Sequence, residues 1–151
     1  MKISQFPESF LSKLGQKTLK EVEKLNQLIS AANQHDVRED LVAKWNGKFE
    51  ELRSISAEDK ALSKQVNSTF SAFLKDLNTQ AGLYSPQHFQ TLWMGIGMAA
   101  FGIPFGVAFS AILKNFAFIG IGIPIGLSLG IAIGAAKDNQ IKKEGKLLDF
   151  K

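Results

Sequence analysis

Two runs of 21 residues without a charged side chain, Trp93 to Leu113 and Phe116 to Ala136, constrain this chain more than any other feature. Only Lys114-Asn115 separates them. About 20 apolar residues rising 1.5 Å each span a hydrocarbon core about 30 Å thick. The pair therefore predicts two membrane spans joined by a tight turn at 114–115. The competing reading, a hairpin buried in a soluble core, needs a cover that short amphipathic helices do not supply.

Small residues recur inside both runs. At 100° per residue, Gly95, Ala99, Gly102, Gly106 and Ser110 fall in one stripe about 80° wide. Gly122, Gly126, Gly130 and Gly134 repeat every four residues in the second run. Such faces let backbones approach closely, so that dispersion replaces the hydrophobic drive missing in lipid. A four-residue repeat exceeds 3.6, so the second stripe winds around its helix and favours a right-handed crossing. Phe101, Phe105 and Phe109 lie beside the first stripe, where lipid or a neighbouring subunit is expected.

The runs also share a motif, Gly102-Ile103-Pro104-Phe105-Gly106 and Gly122-Ile123-Pro124-Ile125-Gly126. Folding about Lys114 sets Gly102 opposite Gly126, Pro104 opposite Pro124, and Gly106 opposite Gly122. Each proline removes a helical hydrogen bond, freeing the carbonyls of Ala100 and Gly120, and is expected to kink its helix. Ser85 is the expected N-cap of the first span, with Pro86 at its first helical position.

Charge gives the expected orientation. Lys137, Lys142, Lys143 and Lys146 follow the second span, whereas the opposite turn carries only Lys114. By the positive-inside tendency both termini are cytoplasmic. Tyr84, Trp93, Lys114 and Lys137 are the expected interfacial anchors. The start of the chain lacks the continuous apolar core of a signal peptide, because Pro7, Glu8 and several lysines interrupt it.

Before the spans the sequence reads as three amphipathic helices. The first is expected from about Pro7 to Asn33, with Leu11, Leu14, Thr18, Val22, Leu25, Ile29 and Ala32 on one face. The second is expected to start at an Asp36 cap with Glu39 returning a bond, and to bury Val37, Leu41, Trp45, Phe49 and Leu52. Gly47 weakens its middle by about 1 kcal/mol relative to alanine. The third has Ser56 as cap with Asp59 three residues on, a stripe of Leu62, Val66, Phe70, Phe73, Leu77 and Ala81, and Gly82 as its stop. Three such stripes pack as a small antiparallel bundle or bury against partner chains. Trp45, Phe49, Phe70 and Phe73 are read as core rather than as a ligand box.

The expected class is thus all-α. A cytoplasmic helical domain (1–84) precedes a transmembrane hairpin (85–136) and a basic cytoplasmic tail (137–151).

Several chemistries have no residues to carry them. The net charge of +4 is spread out: +1 up to His88, +1 through the spans and +2 in the tail. No basic patch is present for nucleic acid. The chain has no cysteine, so thiolate catalysis and zinc-thiolate sites are absent. His35 and His88 lack metal-ligating company, Ser128 has no nearby base, and Gly120-Ile121-Gly122 lacks the strand and lysine of a phosphate loop. No ionisable residue lies within either span, which argues against proton relay or ion-coupled transport. No catalytic, cofactor or metal residues are expected, and the chain is not read as an enzyme.

The stretch from Gly120 through Ala136, followed by Lys142-Lys143-Glu144-Gly145, resembles small bacterial membrane proteins of the glycine-zipper type. The resemblance covers the last third of the chain and implies a bacterial inner-membrane origin rather than an activity. Two functions stay open at this point. One is a membrane-anchored assembly protein that self-associates through its small-residue faces and binds lipid and a cytoplasmic protein partner. The other is a pore-forming or membrane-perturbing protein, such as a toxin, a phage-defence effector or a holin-like factor.

Overall fold

The structure is a computed structural model that describes residues 2–55 and 59–150. Its regular structure is helical apart from one isolated parallel bridge between Tyr84 and Leu147. Residues 2–85 with 146–150 form one compact unit, and residues 86–145 form another.

The first unit contains α1 (Glu8–Leu11), α2 (Gln16–Ala32), α3 (Glu39–Ser54) and α4 (Asp59–Asp76). Apolar residues at helical spacing place Val22, Leu25 and Ile29 of α2 in the core, with Leu41, Trp45 and Phe49 of α3 and Val66 and Phe73 of α4. Burying those stripes together is what makes helices of this length stable. The aromatic rings sit at the centre. Trp45 lies 4.9 Å from Phe73, and Phe49 meets Phe73 edge-on at 5.5 Å. Trp45, Phe49 and Phe73 are fully enclosed, while Phe70 is partly buried and packs against Phe150. Lys44 and Trp45, in the first half of α3, both donate to Asp76 at the end of α4 (2.7 and 3.2 Å). These two helices therefore run antiparallel.

Several boundaries differ from the sequence expectation. The first helix does not run unbroken from Pro7 to Asn33. Residues 12–15 turn away after α1, and Gly15, extended at φ −68° and ψ 156°, starts α2. Glycine is a poor helix interior residue, and here it is the break. Leu11 and Leu14 still pack on the core from outside the long helix. Asp36 does not cap α3, because the helix begins at Glu39 and Arg38 takes the cap position without a side-chain bond. The expected cap at Ser56 lies outside the described residues. At the far end, α4 passes into a π-helical turn (Leu77–Ala81), which Gly82 closes in the left-handed conformation at φ 63°.

The expected tail, residues 137–151, divides between the two units. The helix that begins at Ile119 continues to Lys143, and residues 146–150 belong to the helical unit. The Tyr84 amide donates to the Lys146 carbonyl (3.0 Å), and the Leu148 amide donates to the Tyr84 carbonyl (2.8 Å). Leu148 is fully buried. The apolar Leu148, with Phe150 packed beside it, sends the end of the chain into the core between its charges.

Candidate functional site: a hairpin zipped by glycines

The second unit is a helical hairpin. Its first arm comprises α5 (His88–Gly97), a π-helical turn (Met98–Gly102) and α6 (Ile103–Leu113). A short 3-10 turn (Phe116–Phe118) leads into the second arm, α7 (Ile119–Lys143). The arms run 26 residues (His88–Leu113) and 28 residues (Phe116–Lys143), each long and apolar enough to cross a membrane.

The link between arms is built from two backbone devices. Lys114 ends α6 in the left-handed conformation (φ 50°), and Asn115 is extended with its side-chain oxygen accepting the Ala117 amide (3.0 Å). The short polar side chain of asparagine takes over the orphan donor at the new helix start. Lys114 itself is exposed at the tip.

Glycines form the contact between the arms. A methyl group placed on Gly126 would stand 2.5 Å from the Gly97 carbonyl oxygen and 2.6 Å from the Gly102 nitrogen. On Gly122 it would collide with the Gly102 carbonyl and stand 2.5 Å from the Gly106 nitrogen. On Gly106 it would lie 2.5 Å from the Ile119 carbonyl oxygen. Gly130 sits against the backbone of Trp93 and Met94, and Gly134 against Phe89 and Gln90. In every case the obstacle is main chain, which cannot rotate away. No residue but glycine fits this seam without moving the arms apart.

The mirror about Lys114 places the right glycines together but in a staggered arrangement. Gly122 rests between Gly102 and Gly106, and Gly126 between Gly97 and Gly102. Gly102, Gly106 and Ser110 of the expected first stripe are buried. Gly95 and Ala99 are not part of the seam. Both are exposed, nothing lies within 4 Å of a methyl group on Gly95, and Gly97 takes the inward position instead.

The cause is the π-helical turn. The Ile103 amide reaches back five residues to the Met98 carbonyl, so one turn consumes an extra residue. A uniform 100° step then misplaces the face upstream of that turn, shifting the inward position from Gly95 and Ala99 to Gly97. Pro104 explains why the wider turn occurs here. It cannot donate to the Ala100 carbonyl, and its ring crowds that carbonyl, so a wider turn just before α6 relieves the conflict. Pro104 thus comes with a change of helix type. Pro124 instead lies inside α7, which continues through it, and the Ser128 hydroxyl donates to the Pro124 carbonyl (2.8 Å).

Apart from Lys114 at the tip, the charged groups of the hairpin lie toward its open end. Neither Ser85 nor Pro86 starts the first arm. Helix α5 begins at His88, after a left-handed Gln87 (φ 59°) whose side chain makes no capping bond. Asp138 on α7 caps it from the other arm: its two carboxylate oxygens accept the amides of Phe89 and Gln90, both at 2.9 Å. A carboxylate at a helix N-terminus satisfies orphan donors and complements the helix dipole. Sequence reasoning missed this residue because the pairing spans 48 and 49 positions. Next to it, the Lys137 ammonium lies 5.6 Å from the Phe89 ring centre and 5.4 Å from that of Trp93. Trp93 and Lys137, both expected as anchors, are thereby partners. Tyr84, the fourth expected anchor, is half-buried in the helical unit, tied by its backbone to residues 146 and 148.

The outward faces are apolar. Phe101, Phe105, Phe109, Ile103, Ile112 and Phe116 are 40 to 84% exposed, and thirteen further large apolar side chains of the hairpin are also exposed. Among the described residues no group of histidine, cysteine or acidic side chains is arranged to hold a metal ion. Comparison with known proteins finds no matching family model, curated protein or solved structure.

Proposed function

We propose that this chain is a membrane-anchored assembly protein whose hairpin crosses a bilayer twice. The observation that carries the reading is the inversion of the hairpin: glycines face inward, while large apolar side chains face outward with nothing to cover them. Left in water, nineteen exposed large apolar residues would form a contiguous patch far beyond what a soluble monomer shows. A hydrocarbon solvent removes that difficulty, and the helical arms bond most of their backbone groups within themselves, as lipid requires.

The lysines around the open end give the orientation, with both termini and the helical unit cytoplasmic. The inner membrane of a bacterium is the expected site. The glycine seam is occupied within one chain, so self-association uses the outer surface. Gly95 and Gly120 stay open there, with nothing within 4 Å of an added methyl group. The helical unit is the part available to a protein partner. Inside a single hairpin Ser110 is the buried polar side chain, too little to line a water path, which favours anchoring and assembly over conduction.

The absence of native cysteine makes the test direct. Single cysteines at Ser12, Asn115 and Asp149 are labelled with a membrane-impermeant maleimide in intact and in opened cells. Ser12 and Asp149 should react only after opening, and Asn115 from outside. Labelling of all three in intact cells, or release of the protein by alkaline extraction, defeats the reading. Dye release from liposomes at low protein density would favour the pore alternative.

A further inference from the structure

Residues 2–6 lie across α2 and α3 and are held in an unusual way. The Asn33 side-chain oxygen accepts the Ile3 amide (2.8 Å), and its amide nitrogen donates to the Ile3 carbonyl (2.9 Å). Asn26 does the same for Phe6, at 2.8 and 3.1 Å. From α3, Asn46 accepts the Ser4 amide (2.8 Å) and donates to the Lys2 carbonyl (3.4 Å). Arg53 donates to the carbonyls of Gln5 (2.7 Å) and Ser4 (3.2 Å) and lies 4.9 Å from the Phe6 ring centre. Side chains of the two helices thus bind main-chain groups of the segment, much as a neighbouring strand would.

The register has a simple basis. Asn26 and Asn33 are seven residues apart on one helix, about 10.5 Å at 1.5 Å per residue. Ile3 and Phe6 are three residues apart, about 9 Å at the ~3.1 Å rise of a segment with about three residues per turn, a repeat that keeps both side chains on one face. Each asparagine therefore meets one residue of an extended segment, and the segment's inward side chains are the two at those positions. Ile3 and Phe6 are 2% and 3% exposed, whereas Lys2, Ser4 and Gln5 are exposed. Recognition of main chain plus two apolar side chains three apart is receptor chemistry for an extended peptide.

We propose that the α2–α3 groove is such a receptor and that residues 2–6 of a second copy of this chain occupy it by exchange. Each copy carries the one segment shown to satisfy every contact of the groove. Residues 12–15, where the first helix breaks, are the hinge. The exchange replaces each bond with its identical counterpart, and copies gathered in one membrane raise the local concentration that drives it. The proposal rests on the reading that the protein assembles in a bilayer. Alkaline extraction of the same variants reports on that reading separately.

Two differently tagged copies, Ser4→Cys and Asn46→Cys, are co-expressed full-length and oxidised in membranes. Exchange should give a covalent heterodimer roughly tenfold above that formed by Ser4→Cys with Ser71→Cys, an exposed site on α4, as expected for a high effective concentration. Adding Ile3→Ala and Phe6→Ala to the Ser4→Cys copy should abolish it. A chain carrying both Ser4→Cys and Asn46→Cys reports closure within one copy. Closure there with no heterodimer above the Ser71→Cys background overturns the proposal. So does the absence of both products, because Ser4 then rests on Asn46 in neither copy.

Discussion

The two units of this protein achieve close packing by opposite means. In the helical unit, large side chains interlock: Trp45, Phe49 and Phe73 fill the centre, each 1% exposed or less. In the hairpin, side chains are missing where the helices touch, and backbone meets backbone along Gly97, Gly102, Gly106, Gly122, Gly126, Gly130 and Gly134. On the proposed membrane placement, the difference follows from the solvent around each unit. Water rewards burying apolar bulk, so a core gains by being large. Lipid gives no such reward, and contact there relies on dispersion between surfaces that fit closely. Apolar bulk therefore faces inward in one unit and outward in the other.

Truncation and enlargement should consequently have opposite effects in the two units. The largest change is expected from Phe49→Ala, which empties the aromatic centre of the helical unit at a loss of about 3–5 kcal/mol. Chemical denaturation followed by circular dichroism measures it. Enlarging the seam comes next. Gly126→Leu should weaken the hairpin by about 1–3 kcal/mol or more, since the obstacles are main-chain atoms. Gly95→Leu, on the open face, should leave the hairpin intact. Energy transfer between dyes at the two ends of the hairpin in micelles separates them, and equal loss for both variants would break the comparison.

A smaller effect is expected at the open end. Asp138→Ala leaves the Phe89 and Gln90 amides without their acceptor, at about 1 kcal/mol by analogy with lost helix caps. Faster hydrogen exchange at those two amides is the signature, and Asp138→Asn should retain part of the protection. The smallest effect concerns Asp76. The Lys44 ammonium bonded to it, with the Trp45 indole N–H, holds its carboxyl below the usual carboxylate range against a smaller opposing effect of burial. A carboxyl lowered by folding stabilises above its unfolded value, about 3.9, and loses that contribution as pH falls through the lower folded value. The pair is partly exposed, so about 0.5–1 kcal/mol is expected. Asp76→Asn should flatten the acid limb of a stability–pH profile, and an unchanged limb would show that the pair adds nothing.

How much of this was legible depends on the range of the interaction. The two apolar arms, their turn at Lys114-Asn115 and the four-residue glycine repeat of the second arm are periodic and local, and reading along the chain finds them. The stripe of the first arm was legible only from Gly102 onward, because the π turn before Pro104 changes the helical step that the projection assumed. Asp138 and the asparagines at 26, 33 and 46 gave no local signal. Asn26 and Asn33 share a face at seven-residue spacing, yet nothing in that spacing shows that residues 2–6 lie across it.

Composition and periodicity by themselves determined an all-helical chain with three amphipathic stripes and two long apolar arms, because burial of a face imposes a repeat along the backbone. Tertiary structure alone decided which glycines meet, which carboxylate caps the first arm, and that residues 2–6 and 146–150 close the helical unit. Those choices depend on atoms brought together from distant parts of the chain, and a one-dimensional pattern carries no distance between them.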